Sequence, residues 1–219
     1  MSSARSALYV EGKNDEKAIS SLLKRQGIDT ETKTRKFDIK PATTSDEKST
    51  QSVETLITSI YESVRRSANK PMGFVLDADS DIQSRWDAVR FQLKRLGIEP
   101  PPKPQECGYI ADVPNYQTRV GVWLMPNNTD SGMLENFLQG LIAEGDKLLP
   151  VAQEATSKAI VADRRFPEIH EQKAVMHTWL AWQEKPGLPF GTAITAQYFQ
   201  HDTKTAQAFV NWFRTLFQV

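Results

Sequence analysis

Gly73-Phe74-Val75-Leu76-Asp77-Ala78-Asp79-Ser80-Asp81 reads as a short buried strand that runs into three acids at alternate positions. An apolar run bounded by turn residues is the signature of such a strand. If the extended conformation continued past Leu76, then Asp77, Asp79 and Asp81 would face the same way and repel one another. A positive charge belongs beside them. A hard divalent cation such as Mg²⁺ (or Mn²⁺) suits the position, because Mg²⁺ takes oxygen ligands and often needs only one or two carboxylates, with water and a substrate phosphate completing its shell. The acids also have a structural use: Asp79 or Asp81 can cap the helix that follows.

Upstream, Ala7-Leu8-Tyr9-Val10 is a strand signal followed at once by Glu11-Gly12-Lys13-Asn14-Asp15. Ala18, Ile19, Leu22 and Leu23 then recur at helical spacing, with Asn14 available as a cap and Gly27 as the stop. A second strand is expected over 34–40, ending at Pro41. The polar run from Ala42 to Gln51 reads as a loop or a frayed lead-in to a helix. Val53, Leu56, Ile57, Ile60, Tyr61 and Val64 form a helical stripe that should stop near Asn69, and a further helix is expected over 82–96. Strands separated by helices imply right-handed crossovers and a mainly parallel sheet. In such sheets ligands bind at the carboxyl ends of the strands, which places Glu11 and Asp77 on one rim.

Downstream, the proline-rich segment 99–105 is a stiff connector. Strands are expected over 108–113 and 119–125, then a turn-rich loop over 126–132. Leu134, Phe137, Leu138, Leu141 and Ile142 share a helix face, leaving Glu135 in the first turn as a further carboxylate for the rim or as a partner of the helix dipole. From 146 onward the pattern is helical: 148–162, 174–182, a loop over 186–191, and a last helix capped by Asp202 or Thr203. That helix carries Ala206, Phe209, Val210, Phe213, Leu216 and Phe217 on one face, an aromatic stripe that reads as core. The expected organisation is an α/β domain over 1–145 with a helical extension, 146–219, packed on it.

Glu-Gly after one strand and Asp-x-Asp after another resembles the Toprim domain, shared by topoisomerases, bacterial primases, ribosomal-RNA maturases and overcoming-lysogenization-defect nucleases. The motifs are Leu8-Tyr9-Val10-Glu11-Gly12-Lys13-Asn14-Asp15 and Val75-Leu76-Asp77-Ala78-Asp79. The match covers roughly residues 5 to 145. The loop with Leu134-Glu135-Asn136-Phe137-Leu138 also looks like a small group of uncharacterised stand-alone Toprim-like proteins. The resemblance implies that Glu11 is the general acid or base, that Asp77 and Asp79 hold Mg²⁺, and that Glu135 completes the metal site. It also implies that Gly12 and Lys13 approach a phosphate, that the substrate is nucleic acid, and that an ATPase acts as partner. A carboxylate among carboxylates has a pKa that can rise toward neutrality, as proton transfer at a phosphodiester requires. No Walker loop, zinc module or separate tyrosine-bearing domain is present, so topoisomerase and primase are excluded as expectations. A calcium loop starting at Asp77 would need Gly where Ile82 stands, and an aspartyl phosphatase would carry its Asp-x-Asp on the first strand. The rival expectation is a Toprim-like module that binds a nucleotide, a nucleic-acid end or a protein without catalysis.

The chain has 219 residues, with 27 basic and 27 acidic side chains, so it does not coat nucleic acid by charge alone and any basic surface must be local. Its single cysteine, Cys107, rules out an internal disulfide framework and cysteine metal clusters. No apolar run reaches the ~18 to 20 residues needed to cross a bilayer, and the lead-in before the first strand is too short for a signal peptide. A cytoplasmic protein is therefore expected. The histidines 170, 177 and 201 lack the pattern of a zinc site.

Overall fold

The structure, a computed structural model, describes residues 5–42 and 50–219. The expected polar segment after Ala42 lies largely outside the described residues. Five strands, β1 (Ser6–Val10), β2 (Phe37–Pro41), β3 (Met72–Asp77), β4 (Tyr109–Val113) and β5 (Thr118–Met125), form one sheet in the order β2-β1-β3-β5-β4. Neighbours pair in parallel except β4 with β5, which form an antiparallel hairpin. The fold is thus an α/β, Rossmann-like arrangement with a mostly parallel sheet between helices.

The connections explain where a site can form. From β1 the chain crosses through α1 (Lys13–Arg25) to β2 at one edge. It then returns through α2 (Thr50–Arg65) to β3, and moves the opposite way through α3 (Ile82–Arg95) toward β5. The strand order therefore reverses between β1 and β3. Right-handed crossovers put α1 on one face and α2 and α3 on the other, opening a crevice at the carboxyl ends of β1 and β3.

Strand alternation divides the core into two halves. Ala7, Phe74, Leu76, Val122 and Leu124 pack with Ile60 and Val64 of α2 and Trp86 and Val89 of α3. Leu8, Val10, Val75, Trp123 and Met125 face the other way, toward α1 and the helices that follow β5. Those helices are α4 (Leu134–Gln139), α5 (Leu148–Asp163), α6 (Glu171–Ala181), α7 (Phe190–Thr195) and α8 (Lys204–Phe217). The expected stripe of α8 is entirely buried, and Thr203 caps the helix by accepting from the Ala206 N–H at 3.2 Å.

The close approach of α8 depends on two glycines. Gly73 and Gly121 lie side by side on β3 and β5. A Cβ at Gly121 would stand 2.5 Å from Leu216, and one at Gly73 would stand 2.7 Å from Leu8 and 3.0 Å from Leu216. On either side of this flat patch, Phe37 meets Phe213 at 4.8 Å and Trp123 meets Phe209 at 5.3 Å between ring centroids. The helices beyond residue 145 thus share one continuous core with the sheet.

Two local expectations are corrected. The helix after β1 begins at Lys13 with Gly12 as its cap residue, and Asn14 is exposed, because Asp15 reaches back to accept the Gly12 N–H at 3.2 Å. The segment read as a loop through Gly191 already enters α7 at Phe190. Gly191 is tolerated there because a Cβ would lie 2.8 Å from the Lys17 carbonyl oxygen, so only glycine lets α7 lie against α1.

Candidate functional site

Glu11 follows the last residue of β1, and Asp77 is the last residue of β3. They flank the point where the strand order reverses, and both are buried, at 2% and 3% exposure. Where β1 stops, the Asp77 N–H has no ladder carbonyl to meet, and it donates instead to Glu11 Oε1 at 2.7 Å. The Asp77 carboxylate in turn accepts the Leu134 N–H at 3.0 Å through Oδ1. Glu11, Asp77 and the start of α4 are therefore locked in sequence across β1, β3 and the loop after β5. Glu135, the next residue of α4, is buried at 5% exposure.

The strand conformation does not persist beyond Asp77, so the three aspartates do not share a face. Asp79 has a left-handed φ of 53° and pairs through its backbone with Gly132, its N–H donating to the Gly132 carbonyl at 2.8 Å. Its carboxylate turns to the Arg85 guanidinium on α3. Asp81 is exposed and caps α3: Oδ1 accepts the Ser84 N–H at 3.0 Å, and Oδ2 accepts the Ser84 hydroxyl at 2.6 Å. Those hydrogen bonds, the hydroxyl foremost, hold the Asp81 carboxyl below the usual aspartate range.

The positive charge expected beside the aspartates is thus partly supplied from within, by Arg85, which the sequence reading passed over. Its signal was its position just inside the helix that Asp81 caps, in reach of the turn. The loop after β5 contributes more. Ser131 Oγ donates to the Ser80 carbonyl at 3.1 Å, and the buried Asn128 accepts the Leu124 N–H at 2.7 Å. The loops after β3 and β5 are stitched together and hold the rim in one shape. Beside them lies a cleft of about 530 Å³ with Asp79, Gly132 and Asn136 on one wall and Glu168, Ile169 and Gln172 on the other.

Gly12 is buried with φ of −144°, a conformation open to any residue, and its N–H is engaged by Asp15. Lys13 is half-buried at the first position of α1. His177 stacks on Phe190 at 5.1 Å, and His201 contacts Arg25 at 2.9 Å, away from the rim.

The donor chemistry suits a hard divalent ion, since Glu11, Asp77, Asp79 and Glu135 all carry carboxylate oxygens. Among the described residues no group of three or more His, Cys, Asp or Glu is gathered as a ready cage. A Mg²⁺ ion held by one or two carboxylates and a substrate phosphate needs no such cage. The fold and rim define an α/β protein with interlocked acids at its switch-point crevice. The chain belongs to the family described as protein of unknown function (DUF3226), whose model matches residues 5–218. No curated protein and no solved structure matches it. Among the described residues no helix is long and apolar enough to cross a membrane.

Proposed function

We propose that this protein is a Mg²⁺-dependent (or Mn²⁺-dependent) phosphodiesterase of the Toprim type that acts on nucleic acid. The observation that supports it is the Glu11–Asp77 interlock at the carboxyl ends of adjacent parallel strands where strand order reverses, the place where such sheets bind ligands. Asp77, with Asp79 and Glu135 at hand, would hold the metal. When bound, the metal neutralises charge on the phosphodiester oxygens. Glu11 moves the proton to or from the reacting oxygen, and its Oε1 is already oriented by the Asp77 N–H. Arg85 competes with the metal for the Asp79 carboxylate, and the paired loops 78–81 and 126–133 keep the rim rigid. A cytoplasmic location and a partner ATPase belong to the same reading.

The experiment is calorimetric titration of Mg²⁺ in the presence of an oligonucleotide, with Asp77→Asn/Asp79→Asn as the control, beside a cleavage assay on end-labelled DNA and RNA. Metal-dependent cleavage by the wild type, lost in Glu11→Gln, supports the enzyme. Absence of both metal binding and cleavage with oligonucleotide present overturns it. A second reading, a non-catalytic binding module, has its own observation: Glu11, Asp77 and Asp15 all accept backbone N–H groups and so stabilise the fold.

A further inference from the structure

A groove of about 430 Å³ lies on the α2 side of the sheet, between α2 and the β1–β2 edge. Alternation puts Arg5, Ala7 and Tyr9 of the β1 segment into it, and Lys40 enters from β2. From α2 and its exit come Glu62, Arg66 and Ser67. The charged lining is thus Arg5, Lys40 and Arg66 against one acid, a local basic surface on a chain with no net charge. Arg66 pairs with Glu62 at 3.4 Å, an exposed pair that yields readily to a polyanion, while Arg5 is held by Asp38 at 3.4 Å and by the Lys33 carbonyl at 3.0 Å. The floor is aromatic: Tyr9 is half-exposed, stacked on Phe74 at 5.3 Å, with the Lys40 ammonium 6.0 Å from its ring centroid. At the opposite end Ser67 is only 2% exposed, and its hydroxyl meets no hydrogen-bond partner among the described residues.

A positively charged groove with an aromatic platform is what sequence-tolerant binding of a single nucleic-acid strand requires. The volume is that of a small-ligand pocket. Its direction matters as much as its charge. Glu11 lies two residues beyond Tyr9, about 7 Å further along the direction of β1 and just past its end. We infer that this groove carries the backbone of a single-stranded nucleic acid to the Glu11–Asp77 crevice, with Arg5, Lys40 and Arg66 contacting phosphates. This rests on the nucleic-acid reading of the crevice.

The test is fluorescence anisotropy of a labelled single-stranded oligonucleotide against wild type and Lys40→Glu/Arg66→Glu, over a series of salt concentrations. Both side chains are exposed, and circular dichroism checks that the variant folds. The expected result is at least tenfold weaker binding and a salt slope shallower by about 1.4, the value for two lost phosphate contacts on a single strand. Equal affinity and slope in both proteins, or no binding by the wild type, overturns the inference. Cleavage of the same oligonucleotide separates the two proposals. Binding through the groove with no turnover keeps the groove and sinks the nuclease. Turnover with unchanged KM in Lys40→Glu/Arg66→Glu keeps the nuclease and sinks the groove.

Discussion

The crevice between β1 and β3 and the turn from β3 into α3 draw on aspartates within five positions of sequence, yet their carboxylates do different things. Asp77 is buried and joins β3 to α4, while Glu11 is buried and joins β1 to β3. Asp81 is exposed and serves only its own helix, and Asp79, bonded to Arg85, stands between the two regions. The lesson is that acidity alone does not mark a site. A carboxylate withdrawn from water at a strand end, where backbone donors converge, is costly to keep there, and it links elements whose relative position a reaction would need.

Substitutions on either side test this contrast. The largest expected effect is on catalysis: Glu11→Gln lowers the cleavage rate roughly 10²- to 10⁴-fold, the usual contribution of general acid–base catalysis. The amide oxygen can still accept the Asp77 N–H, so thermal stability should change little. A wild-type rate in this variant would move Glu11 to the structural side of the comparison.

Asp77→Ala comes next. It strips the buried Leu134 N–H of its acceptor and should cost about 1–3 kcal/mol in urea denaturation. A stability equal to wild type would show that the link to α4 carries no weight.

Arg85→Ala decides to which region Asp79 belongs. Removing the guanidinium takes a competing cation from its carboxylate, so Mg²⁺ binding measured calorimetrically with oligonucleotide present should tighten several-fold. Unchanged affinity would assign Asp79 to the turn with Asp81.

The smallest effect is expected at Asp81. Loss of this cap in Asp81→Ala should lower Tm by roughly 2–4 °C with the cleavage rate intact. Its folded pKa is depressed, so its contribution is present above the unfolded value of about 3.9 and disappears as pH falls through the lower folded value. The wild-type and Asp81→Ala stability curves should therefore converge in that acidic window and stay parallel above it. Parallel curves throughout would refute the capping account.

Much of this was legible in the chain. Local signals are short-range: the apolar run of β3, the stripe on α2, and the stop after α3, where Gly97 takes φ of 81°, depend on neighbours a few residues away. Strand-helix alternation likewise sufficed for a mainly parallel sheet and hence for placing Glu11 and Asp77 on one rim. Arg85 was missed because an ion pair across a turn leaves no periodic trace, and α7 was missed because Pro-Gly-rich sequence reads as loop until Gly191 is seen against α1.

Side-chain alternation and backbone propensity mark the strands, most of the helices, α7 excepted, and the acids that stand at strand ends. Tertiary packing alone set what each acid bonds to, and that α8 would lie flat on Gly73 and Gly121. It also decided that Arg5, Lys40 and Arg66, from three separate segments, would line one groove. Those outcomes depend on strand order and packing distance, which bring together residues with no relation along the chain.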